Sequence, residues 1–317
     1  MPLRIAFILR SPSFHAPEIQ AYTRFFARYG VACQVFYQND AKLLRGYDIE
    51  WRLMGLDTAP RQSGRMKIHE YASLSSPPFG RWKDRIKKVA NVQPDLRIFL
   101  SPTVKKLSQM GDDVPFVFRD MGVAPEFFAP CPEGEKTYDL VYSGNLDAER
   151  RPRTYIRALY RHWPECRLLL LGSISEGLRS WLRRYPLAHA QGRVPYWQVP
   201  GYLCQARFGL NLIPDVYPLN VQTSTKLLEY CAAGLPVAST PYAWLSAFER
   251  ETGARFFILS KTLDNLKPEA LGAFGHRLPS LQGRTWDTVI THSGILRQIG
   301  AFFGEAFPTL PPGPDTL

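Results

Sequence analysis

The 317-residue chain has no apolar run of about 18 residues, which excludes a membrane-spanning helix. Its start, Met1-Pro2-Leu3-Arg4-Ile5-Ala6-Phe7-Ile8-Leu9, is too short an apolar stretch for a signal peptide and stops at Arg10. It reads instead as a buried first strand. Cysteine is sparse. Cys33, Cys131, Cys166, Cys204 and Cys231 are widely spaced, odd in number and without a C-x-x-C, so unpaired thiols in a reducing compartment are expected. There is no D-x-D, no clustered Cys/His set, no Walker P-loop and no G-x-S-x-G. The missing G-x-G-x-x-G after the first strand argues against a dehydrogenase. Acidic residues are outnumbered, 28 against 39 Lys and Arg, which leaves a net charge of +11. That excess suits an anionic substrate, an acidic membrane surface or nucleic acid. The basic residues are scattered rather than banded with aromatics, so no nucleic-acid partner is expected.

What remains is an ordinary globular composition, 45% hydrophobic and 21% charged, at a length that favours two domains. Apolar runs alternate with amphipathic stretches throughout. In the first half, strands are expected at 4–9, 32–37, 66–69, 96–100 and 115–118, with helices at 18–29, 81–89 and 103–110. In the second half, strands are expected at 139–143, 167–171, 207–212, 236–239 and 255–259. Helices there are expected at 151–163, 176–185, 197–205 and 225–233, with a long terminal one from Trp286 to Phe303. Such alternation predicts an α/β chain with two Rossmann-like, doubly wound parallel sheets, whose ligands lie beyond the carboxyl ends of the strands. Residues 1–119 read as the first domain and 138–307 as the second. The Pro- and Gly-rich segment 120–137 reads as a linker, and 308–317 as a disordered tail.

The richest stretch is Thr223-Ser224-Thr225-Lys226-Leu227-Leu228-Glu229-Tyr230-Cys231-Ala232-Ala233-Gly234-Leu235-Pro236. Three hydroxyl residues are available to cap a helix that Gly234 and Pro236 terminate. Lys226 in the first turn opposes the helix dipole unless an anion binds there. Glu229 follows on roughly the same face, so a cation for phosphate and a carboxylate for a sugar diol stand one turn apart. The other reading is a surface helix in which the two side chains pair. A second candidate is the turn at Gly144 and Asn145, with Arg150 and Arg151 beyond it to neutralise a diphosphate. The loop Gly192-Arg193-Val194 is a third, placed to border a base. In the first half, His69 and Glu70 end an expected strand. Arg10, Ser11 and His15 lie in the loop after the first strand, and Asp120 opens the linker. His69 would orient a sugar hydroxyl or act as a base. The helix at 81–89 puts Trp82, Ile86 and Val89 on one face and Arg81, Arg85 and Lys88 on another. This suits either an anionic membrane surface or a core helix with a solvated basic side.

Taken in order, these segments resemble the GT-B glycosyltransferases, most closely family 4-like enzymes of bacterial polysaccharide or lipopolysaccharide assembly. The resemblance runs through G-x-L-x-x-x-R from Gly144, G-R-V-P-x-x-x-x-P-x-Y-L from Gly192 and T-K-L-L-E-Y-x-A-A-G-L-P-V from Thr225. It implies metal-independent hexosyl transfer from a UDP- or GDP-sugar to a glycan or lipid-linked acceptor. From the cysteine pattern and the 81–89 helix, a cytoplasmic protein is expected, with an anionic membrane surface at the inner face as a further partner. Retention of configuration is implied and inversion is left open. By motif, Gly144 and Arg150 would contact the diphosphate, and Thr225 and Lys226 phosphate or sugar. Glu229 would bind the ribose, and His69 would approach the transferred sugar, with Glu70 or Asp120 as a base if transfer inverts. The chain departs from the pattern at three places. Val221 stands where the first of two paired glutamates is expected, with Asp215 and Asn220 as nearby polar candidates. Asn145 replaces an arginine, and Ser11-Pro12-Ser13 replaces a glycine-rich loop. An inactive nucleotide-sugar binding protein and a sugar-nucleotide epimerase are the alternatives.

Overall fold

The computed structural model describes residues 3–10, 16–38, 44–53, 55–75, 79–111, 113–146 and 151–304. The chain divides into two compact units. One holds the residues up to Gly122 together with those from Arg284 onward, and the other is Val123–Gly283.

The first unit begins with β1 (Arg4–Leu9), α1 (Pro17–Ala27), β2 (Ala32–Tyr37), β3 (Ile49–Leu53), β4 (Met66–Tyr71), α2 (Gly80–Ala90), β5 (Leu96–Phe99), α3 (Pro102–Ser108) and β6 (Phe116–Phe118). The strands form one parallel sheet in the order β2-β1-β3-β4-β5-β6. β3 has no counterpart in the sequence reading. Glu50 and Arg52 interrupt its apolar run, yet it is a central strand buried along its whole length. Ions can be buried there because they pair. Lys67 Nζ lies 3.0 Å from Glu50 and 2.9 Å from Asp57, and Arg52 reaches both carboxylates. On the opposite face α1 lays Ile19, Tyr22, Phe25 and Phe26 against the sheet, and the Tyr22 ring centroid is 4.5 Å from that of Trp51.

The second unit holds β7 (Tyr138–Ser143), α4 (Pro152–His162), β8 (Leu168–Leu171), α5 (Glu176–Leu182), β9 (Ala188–Gly192), α6 (Val199–Leu203), β10 (Ala206–Asn211), α7 (Thr225–Ala232), β11 (Val237–Ser239), α8 (Ala243–Thr252), β12 (Phe257–Ile258) and α9 (Pro268–Ala273). Its parallel sheet runs β12-β11-β10-β7-β8-β9. Counted within the unit this is the doubly wound order 3-2-1-4-5-6, whose direction reverses between β7 and β10. A crevice opens at such a reversal, because the connections on either side leave in opposite directions. Tyr230 of α7 spans the join: its hydroxyl accepts from Ser143 N at 2.7 Å, and its ring packs against Gly209, where a Cβ would lie 2.5 Å away.

Two segments expected as single helices differ. The region 197–205 is a 3-10 turn, Tyr196–Gln198, followed by α6. The terminal stretch is two helices, α10 (Trp286–His292) and α11 (Ile295–Phe303), broken at Gly294 with φ of 82°. Helices α8 and α9 were not anticipated. Cys131 and Cys204 form a disulfide, which corrects the expectation of unpaired thiols for these two. Cys33, Cys166 and Cys231 are free. The pair is 73 residues apart, so no local spacing announces it. No described helix is long and apolar enough to cross a membrane.

Candidate functional site

The carboxyl ends of β7 and β10 carry the groups that the sequence singled out in the second half. Gly144 follows β7 with φ of 137°, a conformation that side chains rarely adopt. Lys226 lies over it: a Cβ on Gly144 would be 3.3 Å from Lys226 Cε. Gly172, after β8, has its Cβ position 1.9 Å from the Gly144 carbonyl oxygen, so only glycine lets the β7 turn pass. Sequence reading overlooked Gly172, although it ends its strand as Gly144 does.

α7 begins opposite this turn. Ser224 precedes it, but its hydroxyl does not cap the helix. It donates to Asn211 Oδ1 at 2.9 Å, and Asn211 Nδ2 donates in turn to Ser239 and Tyr242. This buried network anchors the start of α7 to the ends of β10 and β11. The Ser224 hydroxyl is thus not spent on the first turn, and the positive end of the helix, with Lys226, lies beside the Gly144 turn. Thr225, half-buried, is the first helical residue. Lys226 Nζ donates to the Tyr142 hydroxyl at 3.1 Å and sits 4.3 Å from the centroid of that ring. The Tyr142 hydroxyl donates onward to Asn145 O at 3.0 Å. The ammonium is thereby held beside Gly144.

Glu229 is 6% exposed and accepts a hydrogen bond from Tyr196 at 2.7 Å. Burial pushes its carboxyl up to about 7, against the smaller lowering effects of Tyr196 and Lys226. Tyr196 is placed by Phe127, whose ring centroid is 5.3 Å away. Neither Tyr142 nor Tyr196 was expected at the site. Their partners are 84 and 33 residues distant, and no local pattern signals that. Lys226 and Glu229 thus bond to separate tyrosines.

The other second-half candidates are more peripheral. Gly192 ends β9 with φ of 90°, Arg193 is exposed and Val194 half-buried. Asp215 is exposed and accepts from Asn220 at 2.9 Å in the loop between β10 and α7, and Val221 is half-buried. Arg150, Ser11 and His15 lie outside the described residues.

In the first unit, His69 and Glu70 do not end a strand, because β4 continues to Tyr71 and both are buried. His69 Nε2 is 2.9 Å from Asp57 within the Lys67 network. Burial lowers its basicity, opposed by Asp57. Burial alone would raise Asp57, but hydrogen bonds from His69 and Lys67 and the charges of Arg52 and Lys67 hold it well below the carboxylate range. Glu70 points to the other face, where it is ion-paired with Arg119 and accepts from Trp51 Nε1 at 2.7 Å. Asp120 is ion-paired with Arg284 at 2.8 Å, and Arg10 is exposed. His69 and Glu70 therefore belong to two networks on opposite sides of one sheet. Among the described residues, no group of three His, Cys, Asp or Glu could hold a metal ion.

Known proteins share this fold. A family model described as glycosyl transferase-like matches residues 150–263, which include α7 and both flanks of the β10 loop. No curated protein sequence matches the chain. Among solved structures, Anabaena HepE in complex with UDP and glucose is 13% identical, with a TM-score of 0.65 over 95% of this chain and 99% of that one. AviGT4, a glycosyltransferase involved in avilamycin A biosynthesis, is 14% identical with a TM-score of 0.62 over 96% and 99%. The lipopolysaccharide outer core galactosyltransferase WaaB, in its apo form, is 15% identical with a TM-score of 0.57 over 95% and 99%. At these identities the likeness is one of fold: two parallel-sheet α/β domains of the GT-B type.

Proposed function

We propose that the chain is a glycosyltransferase that moves a hexosyl group from a UDP- or GDP-sugar to a glycan or lipid-linked acceptor. The observation that carries this reading is the convergence at the β7/β10 reversal. The tight turn at Gly144, the ammonium of Lys226 and the start of α7 meet there, with Glu229 one turn further on. A diphosphate bound there would meet a cation, a helix dipole and backbone that no side chain obstructs. Glu229 has two oxygens; Tyr196 occupies one, and a ribose diol has donors for the other. The match to the glycosyl transferase-like family over residues 150–263 supports the same region.

In the reaction, negative charge grows on the departing diphosphate. Lys226 and the α7 dipole stabilise it where it forms, the kind of electrostatic contribution that is usually the largest. That charge neutralisation is the reason to expect transfer without a metal. A donor-binding protein without turnover is the second reading. It is favoured by Val221, which cannot do acid, base or sugar-hydroxyl chemistry. The test is thermal stabilisation by a panel of UDP, GDP, ADP, CMP and dTDP, with magnesium or with chelator. A shift with one base class, retained in chelator and lost in Lys226→Ala and Glu229→Ala, supports the reading. No shift from any nucleotide in a folded sample sinks it. Turnover with a released nucleotide then separates transferase from binding protein, and product without acceptor marks an epimerase.

A further inference from the structure

Helix α2 is amphipathic in the wrong direction for a helix packed on its own protein. Phe79, Trp82, Ile86 and Val89 recur at three- and four-residue steps, which places them in one stripe. A helix lying on a sheet would bury such a stripe. Here the four side chains are 78%, 64%, 41% and 86% exposed. The side that faces the protein is polar. Asp84, on the opposite side of the helix from Ile86, is 8% exposed and accepts from Ser75 N at 3.2 Å. Lys87 is half-buried, and burial lowers its basicity, offset by Asp84. The core reading of this segment is therefore corrected: its apolar face is outward.

The charge beside the stripe says what would cover it. Lys83, on one side of the stripe, and Arg85 and Lys88, on the other, are all exposed. Over its length α2 carries Arg81, Lys83, Arg85, Lys87 and Lys88 against Asp84 alone. A tryptophan and three further apolar side chains bordered by cations fit the boundary between acyl chains and anionic headgroups. Each cation near such a surface adds attraction, and long Lys and Arg side chains reach headgroups while the apolar stripe sits deeper. A second copy of the chain fits less well, since pairing two α2 stripes would set like charges together.

We propose that α2 is a docking face for an anionic lipid bilayer, bound in the plane of the interface. This deepens the acceptor half of the proposed function, on which it rests for its purpose, because it puts the first unit where a lipid-linked acceptor would be. Lipid binding is measured without donor or turnover, so either idea can fail alone.

The full chain is sedimented with vesicles of phosphatidylglycerol mixed into phosphatidylcholine, and with phosphatidylcholine alone. Preferential binding to the anionic vesicles is expected, weakened by salt. Trp82→Ser with Ile86→Ser, and separately Arg85→Glu with Lys88→Glu, should each reduce it by roughly tenfold or more. Brominated lipid should quench the wild-type fluorescence more than that of Trp82→Phe. Circular dichroism and nucleotide stabilisation should be unchanged in all variants. Absence of binding to either vesicle overturns the proposal, as does binding that both double variants retain. A dimer in sedimentation velocity that the Trp82→Ser/Ile86→Ser variant dissolves, with no vesicle binding, would assign the face to a second copy instead.

Discussion

Glu229 makes donor binding a function of pH. In the folded protein without ligand, burial holds its carboxyl at about 7, against an ordinary value of 4.5. The folded state therefore favours the protonated form, and the stability of the free protein should fall as pH rises from about 4.5 to about 7. The difference corresponds to roughly 3 kcal/mol. A ribose diol donates to the carboxylate, so ligand binding selects the ionised form and runs the other way. At pH 5.5 only about 3% of Glu229 is ionised, and at pH 8 about 90%. Affinity should thus rise by about thirtyfold between these values, levelling off above pH 7, with a proton released on binding at the lower pH. The assay is isothermal titration calorimetry with a nucleotide sugar, whose diphosphate diester does not titrate in this range. Two buffers of different ionisation enthalpy would report the released proton. Glu229→Gln should bind more weakly at pH 8, by about 1–3 kcal/mol, and lose the pH slope. A flat wild-type profile, or a slope that survives in the glutamine variant, would refute the assignment of Glu229 to the ribose.

Two further outcomes follow from geometry in the second unit. Gly172→Ala places a methyl 1.9 Å from the Gly144 carbonyl at φ of 124°, so the β7 turn must move. A loss of about 2 kcal/mol or more in denaturant unfolding is expected, together with weakened nucleotide binding. Thiol titration of the unreduced, denatured chain should find three reactive cysteines, Cys33, Cys166 and Cys231, and five after reduction. Reduction should also destabilise the second unit, by up to about 4 kcal/mol on loop-entropy grounds for a 73-residue closure. Five thiols before reduction would show that the bond does not form.

Much of this was legible in the chain because it is local. The α7 start and its Gly234 stop are written in neighbouring residues, and β1 and β2 were expected at their observed ends. What escaped depends on partners far away. β3 escaped because Glu50 and Arg52 look like surface residues until Lys67 and Asp57 are seen beside them. The tyrosines that hold Lys226 and Glu229 escaped for the same reason. Ser224 looked like a helix cap, and only the fold shows its hydroxyl spent on Asn211. His69 looked like a strand end within reach of a sugar, yet β4 runs two residues further and His69 is fully buried. The α2 stripe was readable as periodicity, but periodicity does not say which side of a helix meets the protein. That took the exposure of Trp82 and the burial of Asp84.

The first unit is assembled from both ends of the chain, with the whole second unit inserted between Gly122 and Arg284. Trp286 is what closes it: its ring lies 5.4 Å from the Arg119 guanidinium, and its backbone comes so near Gly122 that a Cβ there would be 2.7 Å away. During synthesis all six strands of the first sheet therefore emerge before the inserted unit, but without Trp286 and the two helices that complete their unit. A chain truncated after Gly283 and released from the ribosome would display a protease-resistant second unit beside a still-cleavable first one. Resistance of both would arrive together with the two short helices that follow Trp286.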